Sequence, residues 1–265
     1  MNDPKTTKDF GPIHDDYCFF QSHSTEAAQD RAQYLTELAA INRQQSEFTV
    51  LDFGCGDGEF SAPFLAQAAF PSKTLRLALV EPVGPNLVKA VDHLSSYTMH
   101  PIASWTELPD NYVNQEDLVL ANHVLYYVPD LTATTQALVR ALRAGGRWLT
   151  SMAGRENLLI QIWFACFDMI GEPLPFWVAA NFATILDQQT VPYKKYLVRY
   201  RLAFEDTERH RRSILRFLLG DHFAKVPLRD ALELFSAYTA QGKIDTEVWH
   251  HHFVVTGMSR ENTGS

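Results

Sequence analysis

Three glycines at alternating positions make up the segment of the sequence best suited to bind a cofactor. The apolar run VLDF (50–53) stops at Gly54, and Gly56 and Gly58 follow. Glycines allow a tight turn and let a ligand approach the bare backbone. Glu81 closes the next apolar run, where a carboxylate can accept hydrogen bonds from ribose hydroxyls. This order predicts a nucleotide-type cofactor site, and the alternative is a structural turn in another α/β protein.

The charges around this loop distinguish between two kinds of cofactor. Dinucleotide loops read GxGxxG and hold a pyrophosphate at a helix N-terminus, whereas this loop reads GxGxG. Asp52, Asp57 and Glu59 place carboxylates where they would repel a pyrophosphate. A ligand with a cationic amino acid tail and no phosphate fits better. The loop therefore favours S-adenosylmethionine over a nicotinamide dinucleotide.

The elements that must position this loop alternate between strands and helices. Apolar runs that predict strands are FTVLDFG, LRLALVEP, YTMHPIA, DLVLANHVLYYV and RWLTSMA. Segments at helical spacing lie between them, and one of these is capped by Asp130 and ends at Gly145-Gly146. An earlier helix, AAQDRAQYLTELAAI, can be capped by Ser24 or Thr25. This alternation predicts a doubly wound, Rossmann-like α/β sheet with helices on both faces.

The pattern changes after Gly154, where aromatic helical segments replace the alternation. The segment YKKYLVRYRLAFE reads as a strand with helical ambiguity, and EVWHHHFVVTGM as a final strand. We therefore expect a single domain over residues 1–265 with four parts. These are an N-terminal lid (1–47), a cofactor-binding core (48–154), an inserted helical cap that forms the substrate region (155–245) and the final strand (246–258). Residues 1 to about 15 are expected to form a loose arm.

The composition excludes several classes of protein. A net charge of -8 does not favour nucleic acid, and three widely spaced cysteines imply neither a disulfide framework nor a zinc knuckle. The N-terminus is polar, and Gln161 and Asp168 interrupt the longest apolar stretch, so no signal peptide or membrane span is predicted. We expect a cytoplasmic protein with no nucleic-acid or membrane partner. The sequence leaves the oligomeric state open.

The loop LDFGCGDG and the segment LVEP resemble the first motif and the second-strand acid of class I S-adenosylmethionine-dependent methyltransferases. The resemblance implies that Asp52 and Gly54 lie near the methionine part of the cofactor and that Glu81 holds its ribose. The segment after the third strand would flank adenine, and the end of the fourth strand would face the cofactor. The full set of predicted cofactor-binding residues is Asp52, Gly54, Gly56, Glu81, Pro82, Asn86, Ser104, Trp105 and Asn122.

Two further segments, YCFFQSHSTE (17–26) and HVLYYV (123–128), are similar to segments of the histamine N-methyltransferase family. This resemblance implies that Glu26 is the carboxylate that holds a substrate amine or imidazole. His123 stands where that family has a glutamine, and Trp249 where it has an asparagine. The predicted substrate-binding residues are Tyr17, Phe20, Glu26, His123, Tyr126, Tyr127, Trp163, Phe217 and Trp249.

Methyl transfer requires mainly alignment from the protein, because the sulfonium of the cofactor already activates the methyl group. An amine acceptor must present a lone pair, so Glu26 would orient it and His123 would accept its proton. These two residues are the predicted catalytic pair. Their structural alternatives are a carboxylate favoured by a helix N-terminus and a hydrogen-bonded structural histidine.

His250 and His252 would share one face of the final strand and could form part of a metal site. No carboxylate or cysteine cluster accompanies them in the sequence, so we predict no metal site and expect instead edge-strand polarity or a substrate contact from His250.

Together these features predict S-adenosylmethionine-dependent methyl transfer to a small molecule, at an amine or imidazole nitrogen. Two alternatives stay open. One is an O- or C-methyltransferase of natural-product biosynthesis, and the other is a non-catalytic regulatory protein that binds the cofactor.

Overall fold

A computed structural model describes residues 8, 10–41 and 46–258. The strands are β1 (Phe48–Phe53), β2 (Leu75–Val80), β3 (Ala103–Trp105), β4 (Glu116–Asn122), β5 (Leu142–Met152), β6 (Tyr193–Glu205), β7 (Thr239–Ala240) and β8 (Lys243–Thr256). The α-helices are α1 (His14–Ser22), α2 (Glu26–Ala39), α3 (Ser61–Ala68), α4 (Gly84–Leu94), α5 (Leu131–Ala141), α6 (Leu158–Ile170), α7 (Ala179–Gln188), α8 (Glu208–Leu219) and α9 (Leu228–Glu233). None of these helices is long and apolar enough to cross a membrane.

The strands form one sheet in the order β3-β2-β1-β4-β5-β8-β6, with β7 paired to β8. The first five strands of this order are parallel, whereas β8 runs antiparallel between β5 and β6. The strand order reverses between β1 and β4. In open α/β sheets, ligands bind in the crevice outside the carboxyl ends of the strands at such a switch point. The end of β1, the end of β2 and the end of β4 therefore define the edge where a cofactor would bind.

Two hydrophobic layers cover the sheet, as the predicted doubly wound fold requires. Adjacent residues of β1 point to opposite layers: Val50 packs with α2, α3 and α4, and Leu51 packs with α5, α6 and α7. Both side chains are almost fully buried. Strands covered on both faces have continuous apolar sequences, which is why β1, β2 and β4 could be recognised in the sequence.

Two predicted boundaries differ from the structure. The segment YTMHPIA was expected to be the third strand, but β3 begins only at Ala103. The hydroxyl of Thr98 donates to the carbonyl of Leu75 (2.5 Å), which holds this segment on the entry to β2. The helix expected to end at Gly145-Gly146 ends at Ala141, because the loop residue Gln115 donates its N–H to the Ala141 carbonyl (2.9 Å). Strand β5 then begins at Leu142.

The region expected to form a helical cap also contributes a strand to the sheet. Strand β6 pairs with β8 along its whole length, from Tyr193 opposite Val255 to Glu205 opposite Lys243. Within the predicted N-terminal lid, helix α1 begins at His14, at the end of the predicted arm, and its Phe20 is buried. Residues 1–7 and 9 of the predicted arm lie outside the described part of the chain.

Candidate active site

The glycine loop lies between the ends of β1 and β2. The N–H of Gly54 donates to the carbonyl of Val80 (2.7 Å), and the residue has a left-handed φ of 72°. A Cβ at Gly54 would lie 2.2 Å from a methyl group of Val124, so the loop and the segment after β4 pack too closely for a side chain. Gly56 also has a left-handed φ (57°), but a Cβ there would meet no protein atom within 4 Å. The backbone of Gly56 thus borders open space.

Glu81 is held beside this loop at the end of β2. Its Oε2 accepts from the N–H of Gly56 (3.1 Å), and its Oε1 accepts from the N–H of Val83 (3.0 Å). Burial raises the pKa of Glu81, and these two hydrogen bonds oppose that effect. The N–H of Glu81 donates to the carbonyl of Trp105 (3.1 Å), which joins the end of β2 to β3. The carboxylate therefore lies between the loop and the segment predicted to flank adenine.

The other predicted cofactor residues occupy the same edge of the sheet. Ser104 and Trp105 belong to β3, Pro82 lies between β2 and α4, and Asn86 is in the first turn of α4. Asp52, at the end of β1, is buried and accepts a hydrogen bond from the Ser61 hydroxyl. Burial raises the pKa of Asp52 to about 6 although the bond from Ser61 lowers it. The structure thus brings the predicted cofactor residues together, and their individual contacts with the cofactor stay predictions.

Asn122, at the end of β4, is engaged by helix α2. Its Oδ1 accepts from the hydroxyl of Tyr34 (2.8 Å), and its Nδ2 donates to Oδ2 of Asp30 (3.2 Å). Asn122 therefore connects the cofactor edge to the buried carboxylate of Asp30.

Asp30 is the centre of a group of ionisable side chains that we call the Asp30 cluster, which consists of Glu26, Asp30, His123, His250 and His252. Oδ1 of Asp30 lies 2.7 Å from Nε2 of His250 and 2.6 Å from Nε2 of His252. Oδ2 lies 3.1 Å from Nε2 of His123. Asp30 is fully buried, and although burial opposes its ionisation, His250 and His123 hold its pKa well below the usual range.

Glu26 lies at the exposed side of the Asp30 cluster. Its carboxylate oxygens are 3.6 Å from Nε2 of His123 and 3.8 Å from Nδ1 of His250. The side chains of Glu26 and His123 are 15% and 19% exposed, whereas those of Asp30 and His250 are fully buried. Glu26 and His123 are thus the partly exposed members of the Asp30 cluster.

Three elements bring the Asp30 cluster together. Glu26 and Asp30 are four residues apart on α2 and so share one face of the helix. Backbone alternation along β8 turns His250 and His252 to the same side of the sheet. His123 follows β4 directly and has a left-handed φ of 53°, which is uncommon for a residue with a side chain.

The start of α2 is fixed to strand β6. The N–H of Thr25 donates to the carbonyl of Arg201 (2.9 Å), and the Thr25 hydroxyl accepts from the N–H of Arg201 (2.9 Å). Thr25 was one of two residues expected to cap α2, but its hydroxyl bonds to β6 instead. The other, Ser24, accepts from the N–H of Glu26 (3.1 Å). These contacts set the position of Glu26.

His123 is held by partners on both ring nitrogens. Its Nδ1 lies 3.1 Å from the hydroxyl of Tyr126, and its Nε2 faces Asp30 and Glu26. Burial lowers the pKa of His123, but the two carboxylates outweigh burial and raise the pKa to about 9. An imidazole with this pKa already holds a proton near pH 7. The predicted role of His123 as proton acceptor would therefore require the earlier loss of that proton.

The structure brings the predicted aromatic residues together beside the Asp30 cluster. Phe20 stacks on Phe217 with ring centroids 4.7 Å apart, and Tyr17 lies 5.6 Å from Phe217. Tyr126 contacts Trp163 at 5.9 Å. We call these residues, together with Tyr127, the aromatic wall. Its members come from α1, α6, α8 and the turn after β4, which are far apart in the sequence.

The aromatic wall surrounds the ammonium group of Lys8. Nζ of Lys8 lies 4.8 Å from the ring centroid of Phe217, 5.4 Å from that of Tyr127 and 5.7 Å from that of Trp163. It also donates to the carbonyl of Leu218 (3.2 Å). Burial lowers the pKa of Lys8 to about 7. Ring faces and carbonyl oxygens, which attract cations, are thus the partners of this ammonium.

Trp249 is the predicted substrate residue that the structure does not bring to the cluster. Since side chains alternate along β8, it lies on the face opposite His250, where the guanidinium of Arg199 lies 5.5 Å from its ring.

Asp30 is the residue that sequence reasoning missed. Its signal was a carboxylate four residues after Glu26, on the helix face that Tyr34 and Leu38 bury.

Comparisons with known proteins agree with the fold. Residues 20–189 match the sequence profile of a methyltransferase domain family. The structure is similar to that of a provisionally assigned methyltransferase from Bacillus halodurans C-125, with a TM-score of 0.57, 12% identity and coverage of 86% of this chain and 98% of that chain. A search of curated proteins finds no matching sequence.

Two further structures are similar. One is a provisionally assigned sarcosine dimethylglycine methyltransferase from Galdieria sulphuraria (TM-score 0.53, 15% identity, 84% of each chain). The other is the geranyl diphosphate C-methyltransferase of Streptomyces coelicolor A3(2) (TM-score 0.50, 12% identity, 88% of this chain and 79% of that chain). These comparisons show the fold and leave the narrower likeness to histamine N-methyltransferases as a prediction. Because the family match covers more than half of the chain, the protein belongs to the methyltransferase domain family and is a class I S-adenosylmethionine-dependent methyltransferase.

Proposed function

We propose that the enzyme transfers the methyl group of S-adenosylmethionine to a small molecule, at an amine or imidazole nitrogen. The observation that carries this proposal is the position of Glu26. Its carboxylate is partly exposed and lies 3.6 Å from His123, whose Nδ1 is 3.1 Å from the Tyr126 hydroxyl of the aromatic wall. A carboxylate beside aromatic faces suits a cationic or NH-bearing acceptor.

The aromatic wall supports a small acceptor in two ways. Phe20, Tyr126, Trp163 and Phe217 are each at most 8% exposed, so they exclude water from the region that they enclose. The wall also already accommodates an amine, that of Lys8, whose Nζ lies 4.8 Å from the ring centroid of Phe217.

Three free cysteines are in keeping with a reducing compartment, so we retain the cytoplasm as the proposed location.

The reaction that we propose is an in-line displacement. The lone pair of the acceptor nitrogen attacks the methyl carbon, the carbon–sulfur bond breaks, and S-adenosylhomocysteine leaves with the bonding electrons. Alignment of this kind is worth about 7–11 kcal/mol. We propose that Glu26 orients the nitrogen and that His123, once it has lost its own proton, accepts the proton of the acceptor. The residues proposed to hold the cofactor are Asp52, Gly54, Gly56, Glu81, Pro82, Asn86, Ser104, Trp105 and Asn122.

The test is transfer of a labelled methyl group from S-adenosylmethionine to a panel of small acceptors. Histamine, histidine derivatives and aryl-alkyl amines lead the panel, with phenols and keto acids as controls. We expect turnover on an amine or imidazole. Turnover only on phenols or keto acids would contradict the nitrogen acceptor and favour an O- or C-methyltransferase. Stoichiometric cofactor binding without turnover would favour a regulatory protein.

Glu26→Gln tests the role of the carboxylate. Loss of a charge-assisted hydrogen bond costs about 1.5–3 kcal/mol, so KM for the nitrogen acceptor should rise about tenfold to a hundredfold. Affinity for S-adenosylhomocysteine, measured by calorimetry, should change by less than about twofold. Glu37→Gln is the matched control, because Glu37 lies on the same helix but outside the Asp30 cluster. An equal effect of both substitutions would contradict a specific role of Glu26.

A further inference from the structure

We propose that Glu26, His123 and His250 form a binding site for a divalent transition-metal ion on the acceptor side of the Asp30 cluster. Two imidazoles and one carboxylate are a ligand set that holds Zn²⁺ or Fe²⁺ while leaving positions open for another ligand. The ligand atoms of these three side chains lie within 4.8 Å of one another.

The measured separations are close to those of a metal centre. Oε2 of Glu26 is 3.6 Å from Nε2 of His123, and Oε1 of Glu26 is 3.8 Å from Nδ1 of His250. Metal–ligand bonds of about 2.0–2.2 Å in a tetrahedral arrangement place neighbouring ligand atoms about 3.4 Å apart. The third pair, Nε2 of His123 and Nδ1 of His250, lies within 4.8 Å. The three side chains would close around one ion, and Nε2 of His123 would exchange its contact with Asp30 for that ion.

The second ring nitrogen of each histidine is held as it is in known metal sites. Metal-ligating histidines donate their other ring N–H to a carboxylate or another polar group, which fixes the ring and its tautomer. Nε2 of His250 lies 2.7 Å from the buried carboxylate of Asp30. Nδ1 of His123 lies 3.1 Å from the hydroxyl of Tyr126. Asp30 and Tyr126 are thus positioned as outer partners of the proposed ligands.

An unpartnered nitrogen points independently to a ligand at this place. His250 is fully buried, and its Nδ1 has no hydrogen-bond partner among the described residues. A buried polar atom without a partner is costly and rare in folded proteins. With Nε2 bonded to Asp30, the lone pair of Nδ1 faces Glu26 across 3.8 Å. An ion between these two groups would satisfy the nitrogen.

The site is open toward the acceptor pocket, because Glu26 and His123 are partly exposed. This part of the inference rests on the proposed function. An ion there would bind one nitrogen of an imidazole acceptor, and the opposite ring N–H would then lose its proton to water more readily. That nitrogen attacks the methyl carbon as the carbon–sulfur bond breaks. A simple amine has a single lone pair, which the ion would occupy, so the site favours an imidazole. His123 would then act as a ligand and not as a proton acceptor.

The experiment measures metal binding apart from activity. Chelator-treated protein is titrated with Zn²⁺ and with Co²⁺, whose visible absorption reports nitrogen and oxygen ligation, and Mg²⁺ serves as a contrast because it prefers oxygen ligands. We expect one Zn²⁺ or Co²⁺ per chain. Glu26→Gln, His123→Asn and His250→Asn should each weaken binding at least about tenfold.

His251→Asn is the matched control. His251 is a neighbour on the same strand, but it lies 2.5 Å from Glu156, outside the proposed ligand set. The proposal is overturned if no stoichiometric ion binds, or if His251→Asn weakens binding as much as the three ligand substitutions. If His250→Asn fails to fold, as a lost thermal transition would show, the two partly exposed ligands decide the result.

The two proposals can fail separately. If chelator-treated enzyme binds no ion and still methylates a nitrogen acceptor, the metal site is wrong and the proposed function stands. If one ion binds through the three ligands and no nitrogen acceptor is methylated, the metal site stands and the proposed function is wrong. Turnover on an imidazole that chelator abolishes and Zn²⁺ or Co²⁺ restores would support both.

Discussion

Two glycines of the cofactor loop have the same backbone conformation for different reasons. Gly54 is required by the protein itself, since a Cβ there would lie 2.2 Å from Val124. Gly56 borders open space, and its N–H holds the Glu81 carboxylate at 3.1 Å. The sequence reveals the glycine spacing but not this division between packing and space for a ligand.

We predict different outcomes for alanine at these two positions. Gly54→Ala should lower the free energy of unfolding by about 2–4 kcal/mol, because Val124 and the loop must move apart. Gly56→Ala should cost only about 1–2 kcal/mol for its left-handed backbone. Its methyl group would nevertheless occupy cofactor space and reduce affinity for S-adenosylhomocysteine at least about tenfold. Urea unfolding and calorimetry measure the two quantities, and unimpaired cofactor binding by Gly56→Ala would show that the cofactor lies elsewhere.

The residues of the Asp30 cluster show what a sequence cannot reveal at this scale. His250 and His252 stand out by their spacing, and they were read as lacking a carboxylate partner because none is near them in the chain. The structure supplies that partner from α2, more than two hundred residues earlier, with Asp30 at 2.6 Å from His252. Contacts between elements distant in sequence depend on the tertiary arrangement, and neither periodicity nor spacing encodes them.

At the scale of elements, the attachment of α2 to β6 determines where Glu26 lies.

Strands β1, β2 and β4 could be predicted because each is a continuous apolar run. Asp130 caps α5 as expected, since its side chain accepts from the N–H of Ala133 (2.9 Å). The sequence of strand β6 left a helix as an alternative, because only a few of its residues are buried and exposed residues are scattered along it. Its pairing with β8 and its contacts with Thr25 make it a strand.

Thr25→Val tests this attachment. Valine keeps the shape of threonine but removes the hydroxyl that accepts from the N–H of Arg201 (2.9 Å). We expect a loss of about 1 kcal/mol in unfolding free energy and a rise of about threefold to tenfold in KM for the acceptor, because the start of α2 would shift. Affinity for the cofactor should not change.

Thr36→Val is the control for this substitution. Thr36 lies on the same helix, and its hydroxyl donates to the carbonyl of Ala32 within that helix (3.0 Å). It should leave both KM and cofactor affinity unchanged. If Thr25→Val leaves KM for the acceptor unaltered, the contact with β6 does not position Glu26.

At the scale of the whole molecule, one sheet joins the predicted cofactor edge to the strand that carries His250 and His252. Strand β5 pairs with β4 on one side and with β8 on the other, so no break in hydrogen bonding separates the parallel and antiparallel parts. Asp30, on α2, also bonds to Asn122 after β4 and to His252 on β8. The described residues should therefore unfold as one cooperative unit rather than as a core and a separate cap.

We predict a single thermal transition that S-adenosylhomocysteine shifts as a whole. Trp105 lies on β3 and Trp163 on α6, in the aromatic wall, so variants that keep only one of these tryptophans should give coincident fluorescence transitions. At about one hundred times its dissociation constant, the ligand adds about 2.7 kcal/mol of stability, which corresponds to about 5–10 °C for a chain of this size. Gly56→Ala, with weakened cofactor binding, should show a smaller shift at the same ligand concentration. The contrary outcome is two separate transitions, with the ligand raising the midpoint of the Trp105 transition alone. It would mean that the cap region folds independently and that β8 does not couple the two halves.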